Sequence, residues 1–346
     1  MAKPASTLMK SVKVLRHWSS VTPETDPNDL NAPCSLIFIA WDDEDDHMYT
    51  GQFKRGHAHF ADAMDWFPSP DTHEAMRATM EMVPDEAVFP KLPDNGKRVP
   101  VAPESCAGPD FYIKRPRHQP NFASHNWDNH LADGLAIPDL LLHEARMFDL
   151  LSQHPQHPNI VGYHGCRVRR GFITGLMLDM VPGRTLMLYL QFRKLQEIDK
   201  GPFFAALESA VDHLHHVVGI AHNDLHPDNI IVRPDGMPSV IDFDAAAKIG
   251  HRTLAARSCP PWDDEKGNLH VSQKRHDLYG LAKIRWMLDH PDEFTNSFTD
   301  IFPVRIRLEV DPAEPDDPDK NSPLSRPRVP GSKLPDPDQD GVHLDE

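Results

Sequence analysis

The spacing of apolar and polar positions predicts strands near the start of this chain and helices later. The apolar run "LIFIAW" (36–41) and the segment "HMYTGQF" (47–53) flank the acid run "DDEDD". That predicts a hairpin over 36–53 with a turn too charged to bury. Residues 58–83 carry helical spacing, broken by "PSPD". "FYIK" (111–114) has the composition of a short strand. "IPDLLLHEARMFDLLSQ" (137–153) predicts a helix: Pro138 suits a first turn, Leu140, Met147 and Leu151 mark one stripe, and Leu141, Ala145 and Phe148 mark its neighbour. Two strands follow, "NIVGYHGCRV" and "GFITGLMLDMV", then helices over 184–196 and 202–218, the second stopped by Gly219. "NIIV" and "PSVIDF" bracket the turn "RPDG" as a hairpin, and 277–288 is the last predicted helix.

Composition shifts divide the chain further. Six of residues 84–110 are proline, which predicts a connector or an irregular strand pair rather than a helix. From 311 onward eight of 36 residues are proline and ten are acidic. Such a tail cannot bury enough apolar surface to offset its ordering entropy. The expected organisation is a flexible N-terminus (1–30), an extension containing the divergent start of the N-lobe (31–110), a main domain (111–290), a short segment (291–310) and a disordered acidic tail (311–346).

A formal charge of −16 argues against a nucleic-acid partner, which needs a basic footprint. Cys34, Cys106, Cys166 and Cys259 are far apart and predict neither a disulfide framework nor a zinc ribbon, hence a reducing compartment, cytoplasmic or nuclear. No apolar run reaches the roughly 20 residues a membrane span needs. The first twenty residues are basic and acid-free, with Leu8, Val12, Leu15 and Trp18 near helical spacing. They hold a single Arg, so a plain mobile terminus is preferred over a mitochondrial targeting segment. His213, His215, His216, His222 and His226 crowd together, but no second pair stands at ligand spacing. The reading is solvent-facing helix histidines and one packed His222.

The candidate chemistry is phosphoryl transfer, which needs positioning and electrostatics more than covalent steps. Lys114 lies on a strand, and Glu144 lies on a helix 30 residues on, placed to aim that cation. Asp224 and Asn229 share a loop after a long helix, and Asp242 closes the next hairpin 18 residues past Asp224.

Over about 111–290 these residues resemble the protein kinase family, in flavour its divergent filamentous-fungal members. "YIK" is similar to the lysine strand motif, with Tyr112 at the usual alanine, and "HEA" to the segment carrying the paired glutamate. "HPNIVGYHGC" resembles the lead-in to the fourth strand, "LDMVPGRTL" a hinge, "HNDLHPDN" the catalytic loop, "DFD" the DFG motif, and "DLYGLAKI" the helix that braces the loop. The resemblance implies a mixed α+β bilobal fold with a β-rich N-lobe and a helical C-lobe, here shortened. It implies ATP and Mg2+ as cofactors and a protein substrate bearing Ser/Thr hydroxyls. Lys114 would grip the α/β phosphates, held by Glu144; Leu178 would be the gatekeeper, and Asp179 and Val181 would offer backbone groups to adenine. Asn229 and Asp242 would ligate magnesium, Asp224 would orient the acceptor hydroxyl, and His222 and Asp277 would be structural.

Three departures modify this picture. No glycine-rich motif precedes Lys114, so any phosphate-covering hairpin must come from 87–105, turning at Asn95-Gly96. Asn223 stands where an activation-segment phosphate usually meets Arg, which predicts that phosphorylating Thr253 or Ser258 has no receptor. His226 replaces the lysine that touches the transferring phosphate, as in aminoglycoside- and choline-kinase-like phosphotransferases. Two alternatives therefore stay open: a small-molecule phosphotransferase, and a catalytically weak pseudokinase acting as a binding module.

Overall fold

The computed structural model describes residues 12–21, 34–42, 45–55, 78–93, 99–116, 137–253 and 270–290, with backbone alone for 12–21, 34–38 and 52–55. The expected tail (311–346), the segment 291–310, Asn95-Gly96, Ser258 and most of the expected helix over 58–83 lie outside these residues.

Two antiparallel sheets build the N-terminal part. The first has order β1-β2-β3-β4, from Val12–Val21, Cys34–Asp42, Met48–Arg55 and Glu81–Met82. The expected hairpin is present, with Trp41 opposite Met48. Residues 12–18, which carry helical spacing, pair instead with β2, and Glu81–Met82, at the end of the expected helix, pair with β3. A single helical turn, α1 (Asp85–Val88), follows. The acid turn corrects the expectation for "DDEDD": Asp46 is fully buried and Asp42 nearly so. The burial of Asp46 is tolerated because two arginines, distant in sequence, meet it.

The second sheet has order β5-β7-β6, from Phe111–Lys114, Phe172–Asp179 and Tyr163–Arg169, all antiparallel. Helix α2 (Ile137–Ser152) packs on it through Leu141, Ala145 and Phe148, the second of the two expected stripes. The expected covering hairpin is not formed by the described part of 87–105. Lys91 bridges Phe172, Val101 bridges Cys166, and Pro90 and Pro100 carbonyls accept from Ile173 and Cys166 N–H groups. This segment thus lines β6 and the start of β7, away from β5. Pro90, Pro93, Pro100 and Pro103 supply no backbone donors, which restricts it to isolated bridges.

The C-terminal part is helical around one large apolar core shared with α2. The segment 184–196, expected as one helix, divides into β8 (Arg184–Thr185), α3 (Leu186–Gln191) and a tight turn at Leu195–Glu197. Pairing of Arg184 with Val232 and of Thr185 with Ile231 claims its start. Helix α4 (Lys200–His213) buries Phe203, Phe204, Leu207 and Val211, then widens into a π turn (Leu214–Val218) that ends at Gly219, φ +80°. The hairpin of β10 (Ile230–Val232) and β11 (Pro238–Val240) is as expected, and β9 (Ile220–Ala221) pairs with β12 (Ala247–Lys248). Residues 250–253 then ladder with 270–272: Gly250 N donates to Ser272 O, Ser272 N to His251 O, and Thr253 N to His270 O, at 2.8–3.0 Å. Helix α5 (Lys274–Asp289) closes the described chain. A strand-rich N-lobe followed by a helical C-lobe makes the fold mixed α+β and bilobal. Among the described residues no helix is long and apolar enough to cross a membrane.

Candidate active site

Strand alternation puts Tyr112 and Lys114 on one face of β5, opposite Leu178 and Leu176 of β7. Lys114 Nζ reaches from that face to Glu144 Oε1 on α2 and, at 2.7 Å, to Asp242 Oδ1. Three segments far apart in sequence therefore meet at one cation. Glu144 Oε1 also accepts from Phe243 N at 2.9 Å, and His143 Nε2 bonds Ala246 O at 2.7 Å, so α2 holds the "DFD" segment from two sides. Phe243 is buried between Phe148 of α2 (centroids 5.2 Å) and His222 of the loop (4.9 Å).

The electrostatics follow from one ammonium among several buried acids. Burial alone would lower the Lys114 pKa, but the charges of Glu144, Asp242 and Asp244 outweigh it and hold the ammonium well above the usual lysine range. Burial raises the Glu144 pKa, Lys114 opposes this, and Asp242 and Asp244 reinforce it. A local excess of negative charge is the environment a divalent cation relieves. The donor set fits one. Asp242 offers a carboxylate, while the Asn229 amide nitrogen is engaged by Asp224 O at 2.9 Å and lies 3.1 Å from His226 Nε2, leaving its amide oxygen as a hard ligand.

Asp224, His226 and Asn229 converge in the loop after β9. His226 Nδ1 accepts from Asp228 N at 3.3 Å, and its Nε2 lies 3.5 Å from Asp224 Oδ2. Burial pushes the Asp224 carboxyl up, but its contact with His226 and the nearby His222 outweigh that and hold it below the usual aspartate range. Burial pushes His226 down, while Asp224 pulls it above its ordinary value. His226 is therefore poised on Asp224 itself. His222 Nε2 contacts Ile241 O at 3.0 Å, a packing position rather than a reactive one.

Asp277 of α5 braces the loop from below. Its carboxylate accepts from Asn223 N (2.7 Å), His222 N (2.8 Å) and His215 Nε2 (2.8 Å). Gly280, one turn on, allows this approach: a Cβ there would stand 2.4 Å from Leu225 O. At the hinge, Asp179 and Val181 follow Leu178, and Met180 N donates to Asp110 O at 2.9 Å. The Asp179 side chain contacts His164 Nε2 (2.7 Å) and accepts from Gly162 N (3.2 Å).

Sequence reasoning missed three groups. His215, read as a solvent-facing helix histidine, is buried on Asp277; its spacing four after Val211 and three before Val218 places it on the apolar stripe. Asn223, at φ +65°, donates to Ala221 O, Ala245 O and Ser272 Oγ at 3.0–3.1 Å, and its Oδ1 meets His276 Nδ1 at 3.1 Å. Asp46, with Arg115 and Arg167, left no local signal.

Part of this chain is similar to known proteins. The family model for the protein kinase domain matches residues 133–295, beginning just before α2. Among curated proteins, the chain is 36% identical over 88 residues to the sperm motility kinase Tcr mutant form of Mus musculus (25% of this chain, 18% of that protein). It is 29% identical over 141 residues to MAP kinase kinase kinase SSK2 of Saccharomyces cerevisiae (39% and 8%). It is 28% identical over 120 residues to serine/threonine-protein kinase CHK1 of the same yeast (33% and 23%). The matches thus span less than a quarter of each relative's own length. The matched region contains the loop, the "DFD" segment, the glutamate helix and the bracing helix, so over residues 133–295 the chain is similar to the protein kinase domain.

Proposed function

We propose that this protein transfers the terminal phosphoryl group of ATP, with Mg2+, to Ser/Thr hydroxyls of a protein substrate. The observation that carries the reading is the meeting of Lys114, Glu144 and Asp242, because this array needs three separate segments in register. Lys114 grips the phosphates and Glu144 aims it. Asp242 and Asn229 hold the magnesium, which neutralises charge on the phosphate oxygens when bound. Leu178, Asp179 and Val181 line the base's place. Asp224 accepts and orients the hydroxyl proton, with His226 keeping it ionised, while His222 and Asp277 hold the loop. The kinase family of the relatives supports protein over small-molecule acceptors.

The chain is not switched through a phosphate on its activation segment. Asn223 carries no cation, and its amide is spent on Ala221, Ala245 and Ser272, which already tie that segment to the loop. Thr253→Glu is expected to raise the transfer rate by no more than about twofold; a many-fold rise in a steady-state assay would overturn this.

One observation favours the pseudokinase reading: the described part of 87–105 lines β6 and does not cover the lysine face. Thermal unfolding with and without Mg-ATP, beside a transfer assay on a generic protein acceptor, separates the readings. At a nucleotide concentration 100-fold over Kd the expected stabilisation is about 2.7 kcal/mol. Stabilisation with transfer supports the kinase, and stabilisation without it the pseudokinase. No stabilisation at millimolar nucleotide sinks both enzyme readings, the protein kinase and the small-molecule phosphotransferase.

A further inference from the structure

The acid turn of the first sheet is built into the second. Asp46 sits between β2 and β3, is 0% exposed, and adopts φ +59°, a left-handed conformation that Asp tolerates better than most residues. Its backbone is tied within the turn, with Asp46 N donating to Asp42 O and Asp42 N to His47 O, both at 2.9 Å. Its two carboxylate oxygens reach all three strands of the lysine-bearing sheet. Oδ1 accepts from Arg115 Nη1 at 2.9 Å, immediately after β5. Oδ2 accepts from Arg167 Nε on β6 and from Thr174 Oγ1 on β7 at 2.9 Å. Trp41, from the same hairpin, lies under the Arg115 guanidinium at 4.9 Å.

We propose that Asp46 is a positioning residue for Lys114, which makes the hairpin of β2 and β3 a working part of the N-lobe. The argument rests on how little else holds β5. It is four residues long and, among the described residues, ladders with β7 alone. A short strand paired on one side slides and frays readily. Arg115 adjoins Lys114, so fixing its guanidinium between a buried carboxylate and an indole fixes the end of the strand from which Lys114 projects. A mere docking contact looks different, and the structure contains one. Arg170 forms a two-pronged bond with Asp85 of α1 at 2.7 and 2.8 Å and also donates to Asp45 O of the acid turn, joining the same regions without touching β5.

For nucleotide grip, the proposal rests on the kinase reading above; for strand order it stands apart from it. The experiment compares hydrogen–deuterium exchange and Mg-ATP affinity in the full chain, Asp46→Asn and Arg170→Ala. In Asp46→Asn, amide protection over 111–116 is expected to fall at least about tenfold while that of α4 is unchanged. Affinity is expected to weaken at least about fivefold, and Arg170→Ala to leave both within about twofold. If Asp46→Asn does not fold, Arg115→Lys, which keeps the charge but not the fork, carries the same expectation. Unchanged protection over 111–116 overturns the proposal, as does equal loosening by Arg170→Ala. If the unaltered chain binds no nucleotide, the kinase reading fails, and the exchange data alone decide the role of Asp46.

Discussion

Asp224→Asn is expected to lower the phosphoryl-transfer rate by about 10²–10⁴-fold, the range for losing a positioned general base. Asn keeps the size of Asp and can still accept from the Asn229 amide at 3.3 Å, so the loop has no reason to collapse. What disappears is the anion. Burial raises the Asp224 pKa, His226 and His222 more than offset it, and the carboxylate stays ionised across the neutral range. An amide in its place neither accepts the hydroxyl proton nor attracts the donor. Nucleotide affinity, which the proposed function rests on Lys114, Asp242 and Asn229, is expected to stay within about threefold. Single-turnover kinetics with an equilibrium-binding control make the check, and transfer near the unaltered rate would remove Asp224 from the role given to it.

The second large effect is on stability. Asp277→Ala is expected to cost about 3–5 kcal/mol, against a typical total of 5–15. Its carboxylate receives three donors in a fully buried position, and alanine leaves the amides of His222 and Asn223 without an acceptor. A denaturant titration reads the loss as a lower midpoint, and a change under about 1 kcal/mol would refute it. A pH signature accompanies it. Burial raises the Asp277 pKa, but His215 and the His222 amide outweigh burial and leave it below the ordinary 3.8. A carboxyl depressed by folding contributes stability that is fully present above the unfolded value and lost as pH falls through the folded one. The unaltered protein should therefore lose this contribution below pH 3.8, and Asp277→Ala should show a flatter acid limb.

Most of the candidate site could be read from the sequence because its residues sit beside strong local signals. Glu144 lies on a helix with two apolar stripes, Lys114 on a strand of β-type residues, and Asp224, Asn229 and Asp242 around a hairpin marked by its turn. What could not be read depends on distance in the chain. Asp46 looks solvated within "DDEDD", since its partners Arg115 and Arg167 stand 69 and 121 residues away. The prolines of 84–110 point to an irregular connector, as the described part of 87–105 is, but its partners on β6 and β7 stand too far along the chain to be read. His215 was misread by treating neighbouring histidines as a group, when a helix distributes them over different faces. Asn223 was read for the charge it lacks, and the bonds it makes to Ser272 and His276 cross about 50 residues.

The short ladder between 250–253 and 270–272 has a consequence for the stretch it closes. Its bonds bring the two ends of the stretch 254–269 together, so the catalytic frame does not depend on how long that stretch is. Doubling the length of a flexible closed loop costs only about 0.6 kcal/mol. A change of length between residues 253 and 270 is then expected to leave Asp224 and Asp242 in place, because the ladder sets the two ends independently of what joins them.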